Sequence, residues 1–379
     1  MQFLNRRKIL GASIAAAALA SCKLPAQAPG PGPHLRLIGH TSLTHKLQFQ
    51  NTTVGGLSGL DYDSAKGVYY AISDDRSDYN PARFYTLKLP LTADTLGVPE
   101  LLSVTTIQTP TGQPYPNRQT AGPNDEVPDG ESIRLRVATN SLYWTSEGDA
   151  ARGKAPFVRE MRMDGSYVSQ LALPAMFSFD PDKKTGVRNN LGLEGLAFTP
   201  GGDTLWAAME GPLIQDGPPP TLGSAGGPIR FTQFATSSGQ SIRQIAYMPD
   251  AIPNSSLIPG GPADNGVSEI WMGSEQGMLV LERSYALGVG NSIRLYQIDT
   301  QDGDDVIAMP KLEPGKFKPV AKRLLLDFAS AGLPQLDNIE GMTRGPNLPN
   351  GNPTLIFVSD DNFSITQVTQ FVAFEWLSA

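Results

Sequence analysis

The 379-residue chain has one cysteine, Cys22, and three histidines, His34, His40 and His45. A lone cysteine excludes any disulfide within the chain. All three histidines precede residue 46 and stand outside the repeating motifs. A Ser-His-Asp triad, a histidine phosphatase and a His-rich zinc or iron centre therefore have little support. His40 and His45 read as surface or strand residues. No glycine-rich phosphate loop of the P-loop or Rossmann type is present. The main uninterrupted apolar stretch, residues 9–20 (ILGASIAAAALA), is too short for a membrane span of about 20 residues. Basic charge is also scarce: 30 Lys and Arg stand against 37 Asp and Glu, a net charge of −7. Such a chain makes a poor nucleic-acid binder, so no nucleic-acid partner is expected. The reactive inventory that remains is carboxylates, Arg, Lys, Tyr, Ser and any metal those groups hold.

The short apolar stretch follows a basic segment, Asn5-Arg6-Arg7-Lys8, and leads into Leu19-Ala20-Ser21-Cys22. This order reads as a bacterial lipoprotein signal peptide over 1–21, with Cys22 as the lipidated first residue. An ordinary secretory signal with a chance cysteine is the alternative. Export by the general or by the twin-arginine route fits equally well. Loss of Arg6, Arg7 and Lys8 would take the net charge from −7 to −10. Residues 22–33 are rich in Pro, Gly and Ala and read as a tether. Residues 34–379 form the folded domain. The expected location is the cell envelope, periplasmic or surface-facing, with the membrane touched only through the lipid anchor and the protein a monomer.

Glycine (39) and proline (32) are both frequent, which favours short strands and many turns. Five segments share one plan, an apolar strand, a turn and a second apolar strand that ends in polar or acidic residues. They are residues 56–77, 129–149, 190–211, 267–284 (the weakest) and 338–363. The third reads NLGLEGLAFTPGGDTLWAAMEG. A third strand is expected after each hairpin, at 83–89, 158–164, 241–248, 292–299 and 369–376. Recurrence about every 60–75 residues predicts an all-β fold, a β-propeller of five to six blades. A sixth blade would have to lie in 212–266. Residues 34–43 are expected to close the last blade as its outer strand, covering an exposed edge. A β-sandwich ranks second, since it does not need the recurrence.

In a blade the first strand lines the axis and the second runs antiparallel beside it. The start of one and the end of the other therefore share a mouth. Glu131 meets Glu147 there, Glu194 meets Glu210, and Glu340 meets Asp360/Asp361. The first unit offers Ser58 with Asp74/Asp75, and the fourth Glu282-Arg283. Carboxylates gathered in this way call for a hard cation, and Ca²⁺ accepts many oxygen ligands in irregular geometry. Glu131, Glu194, Glu340, Asp75 and Asp361 are the expected metal ligands. Glu147 or Glu210 would act as general base, and Arg283 as an anion clamp or, equally, as an intrablade ion pair. Solvated acidic loop tips are the alternative. Residues 299–305 read as a solvated hairpin turn, and 212–228 as a flexible insertion or a rim.

The set GLSGLDYD, DGESIRL with WTSEGD, GLEGLAFTPGGDTLWAAMEG, MLVLERS and NIEGM with VSDDNF resembles the phytase-like domain family, described by an esterase-like activity of phytase. The resemblance spans roughly residues 35–376. It implies a propeller, export in bacteria and a calcium-assisted hydrolase acting on phosphate esters or other esters. The expected partner is a small anionic or ester substrate. A calcium-dependent lactonase or esterase, and a non-catalytic binding or assembly module, remain alternatives. Ser58 departs from the Glu of the other inner strands.

Overall fold

The computed structural model describes residues 34–377 except 150, 151, 181 and 183. The expected signal peptide and tether, with Cys22, lie outside the described residues.

Strand β1 (His34–Ser42) comes first, followed by a two-residue ribbon of β2 (Gln48–Phe49) and β3 (Thr52–Thr53). Blade 1 is β4 (Leu57–Asp63), β5 (Val68–Ser73), β6 (Arg83–Lys88) and β7 (Glu100–Thr106). Blade 2 is β8 (Gly130–Arg136), β9 (Ser141–Ser146), β10 (Phe157–Arg162) and β11 (Tyr167–Gln170). Blade 3 is β12 (Leu193–Phe198), β13 (Thr204–Met209), β14 (Ile229–Ala235) and β15 (Ser241–Tyr247). Blade 4 is β16 (Ala263–Met272), β17 (Gly277–Ala286), β18 (Gly290–Asp299) and β19 (Lys322–Asp327). Blade 5 is β20 (Ile339–Arg344), β21 (Thr354–Ser359), β22 (Gln370–Leu377) and, on its outer edge, β1. Antiparallel pairing of β1 with β22, from His34 opposite Leu377 to Ser42 opposite Gln370, closes the ring.

The fold is therefore a five-bladed β-propeller. Residues 212–266 hold no sixth blade: they supply β14, β15 and the start of β16. The strand at 241–247, expected third in its blade, is the fourth, and β14 takes the third place. Arg230 and Thr232 face inward on β14, so its burial does not follow the apolar residues. Arg230 is fully buried and bonded to Asp216 at 2.6 and 2.9 Å. That pair pins the 212–228 segment against blade 3. Among the described residues no helix is long and apolar enough to cross a membrane.

The core lies between blades. Second strands such as β5 and β9 are buried along their whole length because each is covered on both faces. Trp144, Phe157, Ile133, Ile72 and Phe84 fill the space between blades 1 and 2. Leu281, Leu295, Ile339, Phe357 and Phe374 do so between blades 4 and 5. This explains why the second strands read as continuous apolar runs and not as strict alternation.

The five inner strands pack around the axis in sequence, and β20 packs against β4. Each loses register once, near its start or, in β16, at mid-strand, around Ser58, Glu131, Glu194, Ser268 and Glu340. Such bulges re-aim side chains. Two residues further on, the carbonyls of Leu60, Ile133, Leu196, Ile270 and Met342 converge on one side chain. Arg134 donates to all five at 2.6–3.1 Å and pairs with Glu269 at 2.8 Å. Its planar fork of five N–H donors suits five carbonyls. This pair stops the channel and turns the mouth above it into a blind cup.

Candidate functional site

The cup has a volume of about 840 Å³. The common plan of the blades generates its walls as rings of five. The bulge positions give Ser58, Glu131, Glu194, Ser268 and Glu340. The position just past the second strand gives Asp74, Glu147, Glu210 and Asp360, and its equivalent within the longer β17 is Arg283. The pairing fixes this second ring. Asp74, Glu147, Glu210 and Asp360 each donate a backbone N–H to the carbonyl of the residue just before the inner strand or two before its bulge. Arg283 stands opposite Gly266 in the same place. Asp129, two residues before Glu131, adds one more carboxylate.

Eight carboxylates thus cluster at one mouth, Asp74, Asp129, Glu131, Glu147, Glu194, Glu210, Glu340 and Asp360, and all but Glu210 line the cup. Seven of them are buried, and Asp74 is half-buried. Two guanidiniums are set among them. Arg76 pairs with Asp129, lies 3.9 Å from Glu147 and donates to Asn190 at 2.9 Å. Arg283 reaches Glu210 at 3.1 Å, Asp264 at 3.3 Å and Glu340 at 3.5 Å. It joins blades 3, 4 and 5 in one network, where the sequence offered a clamp or an ion pair within its blade.

The electrostatics follow from burial and crowding. Burial first, then the repulsion of neighbouring acids, pushes Asp74, Glu131, Glu194 and Asp360 well above the usual carboxylate range. Burial raises Glu210 and Glu340 as well, although Arg283 opposes the rise. Asp129 rises less freely because Arg76 holds its charged form. Glu147 is pushed up to about 7 by burial and by Asp129, while the N–H of Gly192, 2.8 Å from its Oε1, pulls the other way. Burial works against the charge of Arg283, and Glu210 and Glu340 more than offset it.

Two groups of carboxylate oxygens each lie within 4.8 Å of one another: Asp129, Glu131 and Glu147, and Glu147, Glu194 and Glu210. Glu147 belongs to both. Of the residues expected as ligands, Glu131 and Glu194 stand in these groups, and Glu340 stands across the cup with Arg283. Asp75, which lines the cup beside Asp74, and Asp361 lie outside both groups. Asp75 accepts the N–H groups of Asp78, Tyr79 and Asn80 and pairs with buried Arg83 at 2.6 Å. Asp361 accepts from the N–H groups of Gly56 and Phe363. Both acids organise their loops; their neighbours Asp74 and Asp360 occupy the ring. The acid after each of these ring positions is turned into its own loop by the backbone N–H groups it accepts. Glu282 is similarly turned away from the cup and is saturated by Tyr247, Lys322, Asn265 and the N–H of Asp250.

Asp129 and Arg76 were not singled out in the sequence, and Ser268 takes the blade 4 bulge position. Asp129 could have been found from DGES, as the acid two residues before the aligned Glu. Ser58 Oγ, Ser268 Oγ, Arg283 Nε and Asp361 Oδ2 are among the buried polar atoms without a hydrogen-bond partner.

No curated protein matches the chain. Among solved structures, the catalytic domain of a Coprinopsis cinerea GH62 α-L-arabinofuranosidase is similar at 8% identity and a TM-score of 0.47, covering 91% of this chain and 97% of that one. A gluconolactonase of Xanthomonas campestris is similar at 11% identity and a TM-score of 0.36, with 92% and 96% covered. Hydrazine synthase of Kuenenia stuttgartiensis gives 13% identity, a TM-score of 0.36 and coverages of 83% and 80%. Likeness at this level says nothing about what the chain acts on. The profile of one family, "Phytase-like: Esterase-like activity of phytase", matches residues 52–363, from the ribbon before blade 1 to the turn after β21, and the chain belongs to that family.

Proposed function

We propose that the chain is an exported, lipid-anchored hydrolase that cleaves phosphate esters in the acid cup with the help of a divalent cation, Ca²⁺ by preference. The observation that carries this reading is Glu147, shared by two groups of three carboxylates within 4.8 Å. The donor set fits the ion: every ligand in these groups is a hard oxygen, with no His or Cys. Eight clustered acids against Arg76, Arg118 and Arg283 also favour added positive charge. Asp129, Glu131, Glu147, Glu194 and Glu210 would hold the cation. When bound, it supplies charge to offset that of the phosphate and lowers the pKa of an attacking water.

The chain's own residues supply the rest. Arg283 is held in place by Glu210 and Glu340 and lines the cup, where its guanidinium can meet a phosphate oxygen. Glu147, its Oε1 fixed by the Gly192 N–H at 2.8 Å, is placed to take the proton of the attacking water. The Arg134–Glu269 plug keeps bulk water from entering below.

The test is turnover of phytate, phenyl phosphate, a lactone and an aryl acetate by the purified chain, with Ca²⁺ and after chelation. Calcium-dependent release of phosphate, lost about 10²-fold or more in Glu147→Gln and weakened in Glu194→Gln, is the expected result. Calcium-independent turnover, or none on any phosphate ester, would sink the phosphate reading. A second reading keeps the cation and changes the bond to a lactone or carboxylic ester. The excess of acids over guanidiniums favours it, because a polyanion gains little from such a wall. Turnover confined to the lactone or acetate would select it. Binding without turnover of any panel member would leave a non-catalytic module.

Attachment through Cys22 rests on the sequence alone. Cys22→Ala is expected to release the protein from the membrane fraction. A variant that stays with the membrane would remove the anchor from the proposal.

A further inference from the structure

Two aromatic rings stack on the wall of the cup. Tyr79, from the loop after β5, and Phe363, from the loop after β21, stack with ring centroids 4.4 Å apart and planes 20° from parallel. Both line the cup, and Tyr79 leaves 46% of its surface exposed.

The stack is held in place from below. Asn362 and Phe363 both have left-handed backbones, with φ of 46° and 50°. A bulky side chain rarely sits there, and the arrangement persists only where its surroundings enforce it. Here the two acids at the end of β21 do so. Asp360 accepts the N–H of Asn362 at 2.7 Å, and Asp361 accepts that of Phe363 at 3.1 Å. The Phe363 ring then lies on the Gly55–Gly56 backbone. A Cβ on either glycine would come 2.8 Å from the ring, and one on Gly56 would meet Asp74 Oδ1 at 2.0 Å. This glycine pair therefore sets the aromatic stack directly beside a carboxylate of the ring. At the other end Lys46 Nζ donates to the Tyr79 hydroxyl at 2.9 Å and anchors it.

We infer that Tyr79 and Phe363 form the subsite for the alcohol part of the substrate, and that this part carries an aromatic ring. A flat ring stacked on the pair would hold its ester group over the acids next to Asp74. Stacked aromatic pairs add specific attraction beyond the area they cover, enough to change affinity several-fold. The inference rests on the hydrolase reading above.

The experiment compares phenyl phosphate with ethyl phosphate, and phenyl acetate with ethyl acetate, in Ca²⁺ buffer. The preference is the ratio of KM for the ethyl ester to KM for the phenyl ester. Tyr79→Ala is expected to lower that preference by about five- to tenfold, and Tyr79→Phe to keep it. Tyr79 is largely exposed, so both variants should fold, which circular dichroism checks. A preference unchanged in Tyr79→Ala would overturn the subsite. Calorimetric binding of phenylphosphonate and ethylphosphonate separates the two ideas. If no ester is turned over but phenylphosphonate binds more tightly in a Tyr79-dependent way, the subsite stands and the hydrolase reading falls. If the two phosphonates bind alike, the subsite falls as well.

Discussion

Arg134 is a single side chain shared by five blades. Its donors satisfy one carbonyl from every inner strand, and its charge is matched by Glu269, which burial pushes up to about 7 against the pull of Arg134, Ser132 and two backbone N–H groups. Removing one partner of a buried ion pair strands the other, a loss of about 3–5 kcal/mol. Arg134→Leu is therefore expected to lower unfolding free energy by about that much, read by denaturant titration. Arg134→Leu combined with Glu269→Leu should recover part of the loss. A single variant as stable as the native chain would show that the axis is held by blade packing alone. None of this was legible in the sequence. The five acceptors come from segments more than 60 residues apart, and a bare Arg in a strand reads as a half-exposed residue. The ring acids were easier. Glu131 with Glu147, and Glu194 with Glu210, follow from where a hairpin starts and ends. Asp75 and Asp361 were chosen over their neighbours because two adjacent acids look alike. The residue directly after the last one of each second strand (Ser73, Ser146, Met209, Ser359) is Asp74, Glu147, Glu210 or Asp360.

Among the elements, the inner strands are limited by how closely they approach one another. A Cβ on Gly195 would lie 2.7 Å from the backbone nitrogen of Ile270, and one on Gly59 2.5 Å from the carbonyl of Glu131. Neither neighbour is a movable side-chain end. Gly195→Ala should force blades 3 and 4 apart and cost about 1–3 kcal/mol, seen as a lower thermal midpoint. An unshifted midpoint would show that the axis relaxes freely. The blade plan was legible because the second strands are apolar throughout and end in turns. The third blade was less so. Its third strand carries a buried arginine, and its partner Asp216 sits in a loop with no recurrent pattern, so neither signalled a strand.

For the molecule as a whole, the crowded acids tie stability to pH. Glu147 and its neighbours have folded pKa values above their ordinary ones, so the folded chain binds their protons more tightly than the unfolded chain does. The stability they contribute is full below the ordinary value of about 4.5 and is lost as pH rises through about 7 for Glu147. The metal-free protein should accordingly show a thermal midpoint that falls between about pH 5 and 7.5. Added Ca²⁺ should reverse the fall, by about 2.7 kcal/mol at a hundredfold excess over its dissociation constant. A midpoint insensitive to both pH and Ca²⁺ would mean that the acids are neutralised within the cup by the two arginines and shared protons.

The stopper at the axis has a consequence for traffic. A propeller with an open bore has two doors, and this one has a single door. Whatever enters past Tyr79 and Phe363 must leave the same way, so arrival and departure compete for one opening. A spent molecule still in the cup bars the next, and occupancy of the cup sets the pace for everything that follows.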